Sequence, residues 1–385
     1  MAGLLHDIGH YPFSHAMEEA IDNYYKSKMF DDADVSSGAL HNTGSLQLRY
    51  FNHERVGRSI LEKDPSLRSI LNQANIKPDE IYSIFLRSNP SHLNNLISSD
   101  LDADRIDYLL RTAHHAGLPY GSVDLFYLLS QMRIDNNRRI CITEKALRAT
   151  NHFLLSRYFD YQQVAFHKTV VALELILKDV IFKLLQDGYI GCSSGDVDKS
   201  IENEKWLSFD DISMMRIVQE YAETDDDKVA KMQAAAICQR NPPKLVFRKE
   251  FVGRQEEQSK DQIRLYKRMI DAKKAHWADE FDIDQKLWYV WMKPSLTLTK
   301  IGSHLPIAEA VDPSERDIDR YEQAIRVLTG NNVSRPIMGM PESLMYILAS
   351  HALYSIRLYV LLPREAQSKR EHIERRVTAD LNDRG

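Results

Sequence analysis

Hydrophobic positions in the first half of the chain recur at helical spacing. Over residues 170–185 the apolar side chains follow a 3.6-residue period with charged residues opposite them, and Gly188 follows as a stop signal. Asp64-Pro65 and Pro78-Asp79 have the composition of helix N-termini. These patterns predict a succession of helices.

The second half has a mixed pattern. Charged helical stretches alternate with strand-like runs, and a polar segment with Gly and Ser, residues 191–205, is the predicted boundary between the two halves. Residues 344–362 are predicted to form a buried helix followed by a strand, and residues 364–385 a solvated helix. The predicted strands are 244–251, 287–292, 295–301 and 355–362.

Composition narrows the class of protein. The 385 residues are 43% hydrophobic and 27% charged, which is typical of a soluble globular chain. The formal net charge of −5 gives no general basic field, so we do not expect nucleic-acid binding. Three widely spaced cysteines indicate a reducing compartment, and neither a secretory signal nor a spanning segment is apparent. We therefore expect a cytoplasmic protein without a membrane partner.

The densest group of chemically competent residues is LLHDIGHYPFSH, residues 4–15. His6 and Asp7 are adjacent, and His10 lies one helical turn beyond His6 on the same side. Imidazole nitrogens combined with a carboxylate oxygen suit a divalent ion such as Mn, Fe, Mg, Ni or Zn. A surface histidine pair beside a helix stop is the alternative, but four candidate ligands or acid–base groups in ten residues favour a site.

A second group lies in SSDLDADRIDYLLRTAHHAGLPYGSVDL, residues 98–125. Asp104, Tyr108, Arg111 and His115 share one stripe of a predicted helix whose other side is apolar. Such a stripe is usually a solvent-exposed face, yet this one lacks Lys and Glu. Arg105 and Arg111 suit bidentate phosphate contacts.

A third group lies in SRYFDYQQVAFHKTV, residues 156–170. Arg157, Tyr161 and Lys168 add cationic and phenolic groups to an otherwise apolar helix. An Arg on a helix is more often solvated, so this group alone is a weak signal. We expect Arg157 to lie on the open side of that helix, where an anionic ligand explains it better than packing does. Its replacement by Ala should then weaken phosphate binding and leave the fold intact.

Together the three motifs resemble those of the HD-domain phosphohydrolases, and in particular the deoxynucleoside triphosphate triphosphohydrolase branch that includes the bacterial dGTPases. The likeness is strong over residues 1–190 and weaker beyond them. It implies a mainly α protein with an HD-domain helical core in residues 1–190 and a smaller α+β C-terminal lobe in residues 191–385.

The resemblance also implies roles for individual residues. His6 and Asp7 match the central pair of metal ligands, and Asp104 matches a distant third. His10 and His53, the latter in FNHERVG, match histidines near the α-phosphate and the scissile oxygen. Glu18 matches the acidic partner of the catalytic histidine.

The implied contacts with substrate include two arginines at the phosphates, Arg105 and Arg157, and a tyrosine against the sugar, Tyr108. The segment QRNPPKLVFRKEF resembles one in which some members bind regulatory nucleotides, and Arg240 is its candidate. With the helical stripe and the third motif, the predicted substrate-binding set is Arg105, Tyr108, Arg111, His115, Arg157, Tyr161 and Lys168.

The chain departs from the family pattern at two points. The family has a further histidine ligand upstream of the HD pair, whereas here Met1 lies five residues before His6. We therefore expect an N-terminally incomplete HD domain, through a late start, a truncation or degeneration, that holds its metal weakly. Thr112 stands where the family usually has Asp, which leaves sugar selectivity open.

The implied reaction converts a dNTP and water into a deoxynucleoside and triphosphate at a metal ion, with His10 or His53 protonating the leaving 5′-oxygen. One alternative is another HD phosphohydrolase that acts on a nucleoside monophosphate or a phosphodiester. Another is a catalytically inert nucleotide-binding sensor or subunit. The expected partners are the dNTP, a regulatory nucleotide and further copies of the chain in a dimer or tetramer.

Overall fold

The computed structural model describes residues 1–33, 50–85, 92–224, 227–299 and 321–382. Within these ranges the chain forms fifteen α-helices and seven short or medium strands, so the prediction of a mainly α protein is confirmed. The helices are α1 Ala2–Leu5, α2 His15–Ala33, α3 His53–Lys63, α4 Pro65–Gln73, α5 Pro78–Phe85, α6 Ala103–Ala116, α7 Leu125–Ser130, α8 Leu147–Asp160, α9 Lys168–Gln186, α10 Ser194–Glu202, α11 Asp211–Thr224, α12 Lys228–Cys238, α13 Glu257–Phe281, α14 Met345–Leu348 and α15 Arg370–Asn382. The strands are β1 Met132–Ile134, β2 Ile140–Thr143, β3 Lys244–Arg254, β4 Trp288–Thr297, β5 Arg326–Leu328, β6 Ser334–Pro336 and β7 His351–Val360.

The chain divides into two compact units that alternate along the sequence. The first unit comprises Met1–Asn89, Ala172–Lys244 and Leu361–Glu365. The second comprises Pro90–Val171, Leu245–Val360 and Ala366–Gly385. The predicted division between residues 190 and 191 falls inside the first unit, because residues 172–244 pack with the N-terminal segment.

The first unit is a helical assembly around one apolar core. Met17 and Ile21 of α2, Val56 of α3, and Ile181 of α9 are fully buried in it. The helix starts follow the predicted chemistry: the Asp64 carboxylate accepts a hydrogen bond from the backbone N–H of Leu67, and a proline occupies the first turn of α4.

The second unit combines helices with two small sheets. The first sheet has the order β1-β2-β5-β6, in which β2 and β5 run parallel and the other pairs antiparallel. Its apolar side joins a core that contains Leu109 of α6, Phe153 and Leu154 of α8, and Val327 of β5. This core holds α6 and α8 as neighbours, and these two helices carry the arginines discussed below.

The second sheet has the order β3-β7-β4, with β7 in the centre. Strand β4 pairs antiparallel with β7 from Trp288, opposite Val360, to Thr297, opposite Ala352. The register shifts between Lys293 and Leu296, so the strands predicted at 287–292 and 295–301 are one irregular strand as far as Thr297. Residues 300 and 301 lie outside the described residues.

The other local predictions are confirmed in part within the described ranges. Helix α9 covers the predicted residues 170–185, and Gly188 takes the left-handed conformation with φ 77°. Residues 344–362 contain a helix followed by a strand, α14 and β7, but Tyr346 and Ile347 of α14 are exposed, so the prediction that this helix is buried is wrong. In the tail, α15 buries Ile373 and Val377, so it is an amphipathic packed helix rather than a fully solvated one.

Candidate metal and phosphate sites

The turn after α1 presents the HD pair, and Gly9 makes that turn possible. A Cβ at Gly9 would lie 2.1 Å from the carbonyl oxygen of His53 and 2.2 Å from the backbone nitrogen of Gly57. The turn therefore lies directly against the backbone of α3, an approach that any larger residue would prevent. The backbone N–H of His10 donates to the carbonyl of Asp7 over 3.1 Å and closes the turn.

Two imidazoles of this turn approach one carboxylate. Nε2 of His6 lies 3.3 Å from Oδ1 of Asp7, and Nε2 of His10 lies 3.4 Å from the same oxygen. Nδ1 of His6 is 3.0 Å from the carbonyl oxygen of Gly3, which can only accept a hydrogen bond. His6 Nδ1 therefore carries the proton, and a neutral His6 turns the lone pair of Nε2 toward Asp7.

This donor set fits a divalent cation. A lone pair and a carboxylate oxygen at hydrogen-bond distance repel each other unless a proton or a cation lies between them. The side chain of Asp7 is half exposed, so an ion can reach it from solvent. The hydrogen bond from His10 lowers the pKa of Asp7. Burial opposes this shift and the neighbouring His6 adds to it, so the carboxyl is ionised at neutral pH.

A cluster of three imidazoles lies beside this pair. The rings of His10 and His53 stack with centroids 4.4 Å apart, and His15 meets both edge-on. One nitrogen from each of the three rings lies within 4.8 Å of one from each of the others. Ser14 contributes its hydroxyl, 3.0 Å from Nδ1 of His10.

Glu18 organises two of these rings. Its Oε2 is 2.9 Å from Nδ1 of His53 and 3.5 Å from Nδ1 of His15. Burial disfavours the Glu18 anion, but the hydrogen bonds from His15 and His53 outweigh it and hold the pKa of the carboxyl well below its usual range. In turn the hydrogen bond to Glu18 raises the pKa of His53, against the opposing effect of burial. The pairing of Glu18 with a histidine agrees with the predicted role.

His15 is one of the four candidate groups of residues 4–15, but sequence reasoning assigned it no individual role. However, Phe13 and Ser14 both take left-handed conformations, with φ 58° and 52°, and reverse the chain so that His15 begins α2 next to His10. Its side chain is 76% exposed, far more than those of the other two histidines. The residue type was the available signal.

The second unit contains a buried arginine cluster. Asp100 is fully buried, and its Oδ1 lies 3.1 Å from Nη1 of Arg105 and 3.4 Å from Nη1 of Arg157. Asp102 caps α6 by accepting from the backbone N–H of Arg105, and its other oxygen lies 3.5 Å from Nε of that residue. The structure thus brings together the two predicted phosphate-binding arginines.

Two donors in this cluster have no hydrogen-bond partner among the described residues: Nε of Arg157 and the hydroxyl of Tyr108. The guanidinium of Arg157 lies 5.5 Å from the ring centroid of Tyr161. Burial raises the pKa of Tyr108, so its hydroxyl keeps its proton. The Arg157 side chain is only 12% exposed, so the expectation that it lies on the open side of the helix is wrong.

Most of the remaining predicted residues are exposed, and Asp104 is partly buried. Arg111 is exposed and pairs with Asp107 one turn away on α6, and His115 is exposed with its ring against His114. The roles of Arg111 and His115 stay predictions, and so do the roles of three further residues. Those three are Asp104 in the first turn of α6, Lys168 at the start of α9, and Arg240 at an exposed left-handed position after α12.

Comparison with protein families gives a match over the part of the chain that holds the HD pair and the adjacent histidines. Residues 1–112 match the family model of the HD domain. The chain contains an HD domain. The match covers the N-terminal part of the chain and supports an HD domain there. No helix in the described part of this HD protein is both long enough and apolar enough to cross a membrane.

Individual relatives match part of the chain. The uncharacterized protein YwfO of Bacillus subtilis is 30% identical over 194 residues, which cover 49% of this chain and 38% of that protein. The deoxynucleoside triphosphate triphosphohydrolase SAMHD1 homolog of Dictyostelium discoideum is 25% identical over 235 residues, which cover 60% of this chain and 41% of that protein. The HD chain thus spans well under two thirds of the length of these relatives.

Two solved structures share the fold. A phosphohydrolase from Bacteroides thetaiotaomicron superposes with a TM-score of 0.58 at 18% identity, over 94% of this chain and 78% of that one. A hypothetical protein from Aquifex aeolicus superposes with a TM-score of 0.63 at 21% identity, over 97% of this chain and 78% of that one. At these identities the similarity establishes the fold alone.

Proposed function

We propose that this HD protein hydrolyses deoxynucleoside triphosphates to a deoxynucleoside and inorganic triphosphate in the presence of a divalent ion. The observation that carries the proposal is the buried guanidinium of Arg157, whose Nε has no partner among the described residues. A buried donor left unpaired costs about 1–3 kcal/mol, which an anionic ligand would recover. The SAMHD1 homolog supplies the class of anion.

The metal-binding part of the proposal rests on His6 and Asp7. Their donor atoms fit a divalent ion, and the carbonyl of Gly3 fixes the His6 tautomer that such an ion requires. When bound, the ion supplies positive charge to the phosphoryl oxygens and lowers the pKa of a water molecule. Asp104 is proposed as a further ligand on the resemblance and on its residue type.

The phosphate-binding part rests on Arg105 and Arg157. Asp100 fixes both guanidinium groups, and a fixed guanidinium loses little entropy when it binds phosphate. Arg105 divides its donors between two carboxylates, whereas Arg157 keeps Nε for a ligand. Tyr108 offers its unpartnered hydroxyl to an acceptor on the sugar or phosphate, as the resemblance implies.

The proton for the leaving 5′-oxygen is proposed to come from the imidazole cluster. Glu18 stabilises the protonated form of His53 and so raises the pKa of this imidazole. His10 stacks on His53, and the exposed His15 shares Glu18 with it. We propose that the cluster transfers this proton to the 5′-oxygen as the bond to the α-phosphorus breaks.

The test is an analysis of products. The full chain is incubated with each of the four dNTPs and Mn²⁺, and phosphorus NMR identifies the released species. We expect inorganic triphosphate in a 1:1 ratio to deoxynucleoside, and at least 100-fold slower release by Asp7→Asn, which keeps the volume but weakens the ligand. The matched control Asp22→Asn changes a carboxylate of α2 that pairs with Tyr50 instead, and should react at the wild-type rate.

Other products would point elsewhere. Release of pyrophosphate or phosphate would refute the triphosphohydrolase assignment and favour another HD phosphohydrolase. The chain could also bind dNTP and hydrolyse it with none of the ions Mn²⁺, Mg²⁺, Fe²⁺, Ni²⁺ and Zn²⁺. That result would refute hydrolysis and favour a nucleotide sensor.

A further inference from the structure

A π-helical turn follows α8, and no pattern in the sequence predicted it. It spans Tyr161–Ala165 and is closed by the backbone N–H of Phe166, which donates to the carbonyl of Tyr161 over 2.7 Å. Such wide turns are rare and persist where surrounding contacts hold them. This one carries Tyr161, whose ring lies 5.5 Å from the guanidinium of Arg157.

Arg357 of β7 holds the end of this turn. Its side chain is 10% exposed, and Nη1 donates to the carbonyl of Phe166 over 2.6 Å. On its other side, Nη2 and Nε donate to Oε1 of Glu250 on β3, over 2.7 and 2.9 Å. The carbonyl at the end of a helical turn has no helical donor, so Arg357 supplies the hydrogen bond that the turn lacks.

The ring of Phe166 is held by the same sheet. The centroid of Phe166 lies 5.3 Å from that of Trp291 on β4. Nζ of Lys293 lies 5.3 Å from the same Phe166 centroid. The guanidinium of Arg357 lies over the ring of Trp291, 4.8 Å from its centroid. Phe166 also contacts Tyr161, with ring centroids 5.6 Å apart.

These contacts form a continuous path within the second unit, from Glu250 and Arg357 through Phe166 and Tyr161 to Arg157. We propose that Arg357 is a positioning residue for Arg157: it fixes the π-helical turn, and the turn fixes the ring against which the phosphate-binding guanidinium lies. The inference rests on the proposed phosphate-binding role of Arg157. It extends that role to a residue of the central strand of a separate sheet.

The geometry of Arg357 makes a conservative substitution informative. A guanidinium reaches Glu250 and the Phe166 carbonyl at once from opposite edges of its fork, which an ammonium group cannot do. Arg357→Lys keeps the charge beside Glu250 and gives up the bond to the turn. We expect it to weaken binding of inorganic triphosphate by between about 2-fold and 30-fold, and to raise KM for dNTP with little change in kcat.

The experiment is a double-mutant cycle on the full chain. Calorimetry measures binding of inorganic triphosphate to the wild type, Arg357→Lys, Arg157→Gln and the double variant. We expect the Lys substitution to weaken binding in the wild-type background and to have no further effect beside Arg157→Gln. The matched control is Arg376→Lys, which changes an arginine of the same unit that pairs with Glu280. It should leave triphosphate binding unchanged.

Each result separates the inference from the function on which it rests. If Arg157→Gln binds triphosphate as the wild type does, the proposed phosphate role fails and the inference fails with it. If Arg157→Gln weakens binding but Arg357→Lys does not, the positioning role alone fails. Equal effects of Arg357→Lys in both backgrounds would also overturn it. Should Arg357→Lys not fold, Phe166→Leu replaces it in the cycle, because it removes the ring between Arg357 and Tyr161. It must then weaken triphosphate binding in the wild-type background and have no further effect beside Arg157→Gln.

Discussion

Replacing Glu18 by Gln tests the acid–base cluster directly. The substitution keeps the size of the side chain and removes the negative charge 2.9 Å from Nδ1 of His53. A hydrogen bond to a charged group contributes about 1.5–3 kcal/mol. Both side chains are partly exposed, 20% for Glu18 and 24% for His53, so solvent screening reduces this to about 1–2 kcal/mol. Because the hydrogen bond to Glu18 raises the pKa of His53, the substitution should lower that pKa.

The effect on stability must depend on pH. The folded pKa of His53 is raised above 6.5, so its contribution is complete below pH 6.5 and disappears as the pH rises through the folded value. The folded pKa of Glu18 is lowered below 4.5, so its contribution is complete above pH 4.5 and disappears as the pH falls through the folded value. The pair therefore stabilises the fold most between pH 4.5 and 6.5.

The assay uses metal-free protein in a chelating buffer. Histidine NMR titration gives the pKa of His53, and urea unfolding at pH 6 and pH 9 gives the loss of stability for Glu18→Gln. We expect about 1–2 kcal/mol at pH 6 and clearly less at pH 9. Glu19→Gln is the control, since Glu19 is 57% exposed and pairs with Lys178 instead. An unchanged His53 pKa, or equal losses at both pH values, would refute the assignment of the proton to this pair.

Three further substitutions each test a single residue. Gly9→Ala forces a Cβ into the backbone of α3 and should destabilise the first unit by more than about 3 kcal/mol in urea unfolding, whereas Gly3→Ala, with open space around it, should be nearly neutral. Asp104→Asn should reduce bound metal at least about tenfold in elemental analysis, and unchanged metal content would remove it from the ligand set. Trp277→Phe loses the 2.8 Å hydrogen bond from Nε1 to Asp380 and should lower stability by about 1–3 kcal/mol, measured by thermal unfolding.

The helices were predictable because their signals are local. The Asp64-Pro65 start and the apolar period of α9 depend on residues within a few positions of each other. The strands β1, β2, β5 and β6, of three or four residues each, were missed because so short a run carries no detectable alternation. The interleaving of the two units was also missed, since a 3.6-residue period shows which face of a helix is buried but not what covers it.

The site was predictable as far as residue type determines it. His6 and Asp7 could be named because they are adjacent and lie one helical turn before His10. Glu18 and His53 were named only through the resemblance to the HD family. The place of His15 depended on two consecutive left-handed residues, Phe13 and Ser14, neither of which is a type that favours this conformation. The turn that places Phe166 under Arg357 involves residues about 190 positions apart, and no local pattern predicts such a contact.

The burial of Arg157 changes what its replacement can show. Sequence reasoning expected a solvent-facing arginine, so that Arg157→Ala would affect phosphate binding alone. In the structure, Nη1 of Arg157 contacts Asp100, which is fully buried and also pairs with Arg105. Removing a partner of a buried carboxylate costs stability in addition to any loss of ligand binding. A lower melting temperature of Arg157→Ala would thus not argue against a phosphate role. The discriminating quantity is the affinity for inorganic triphosphate, because a purely structural arginine would leave it unchanged in the fraction of protein that remains folded.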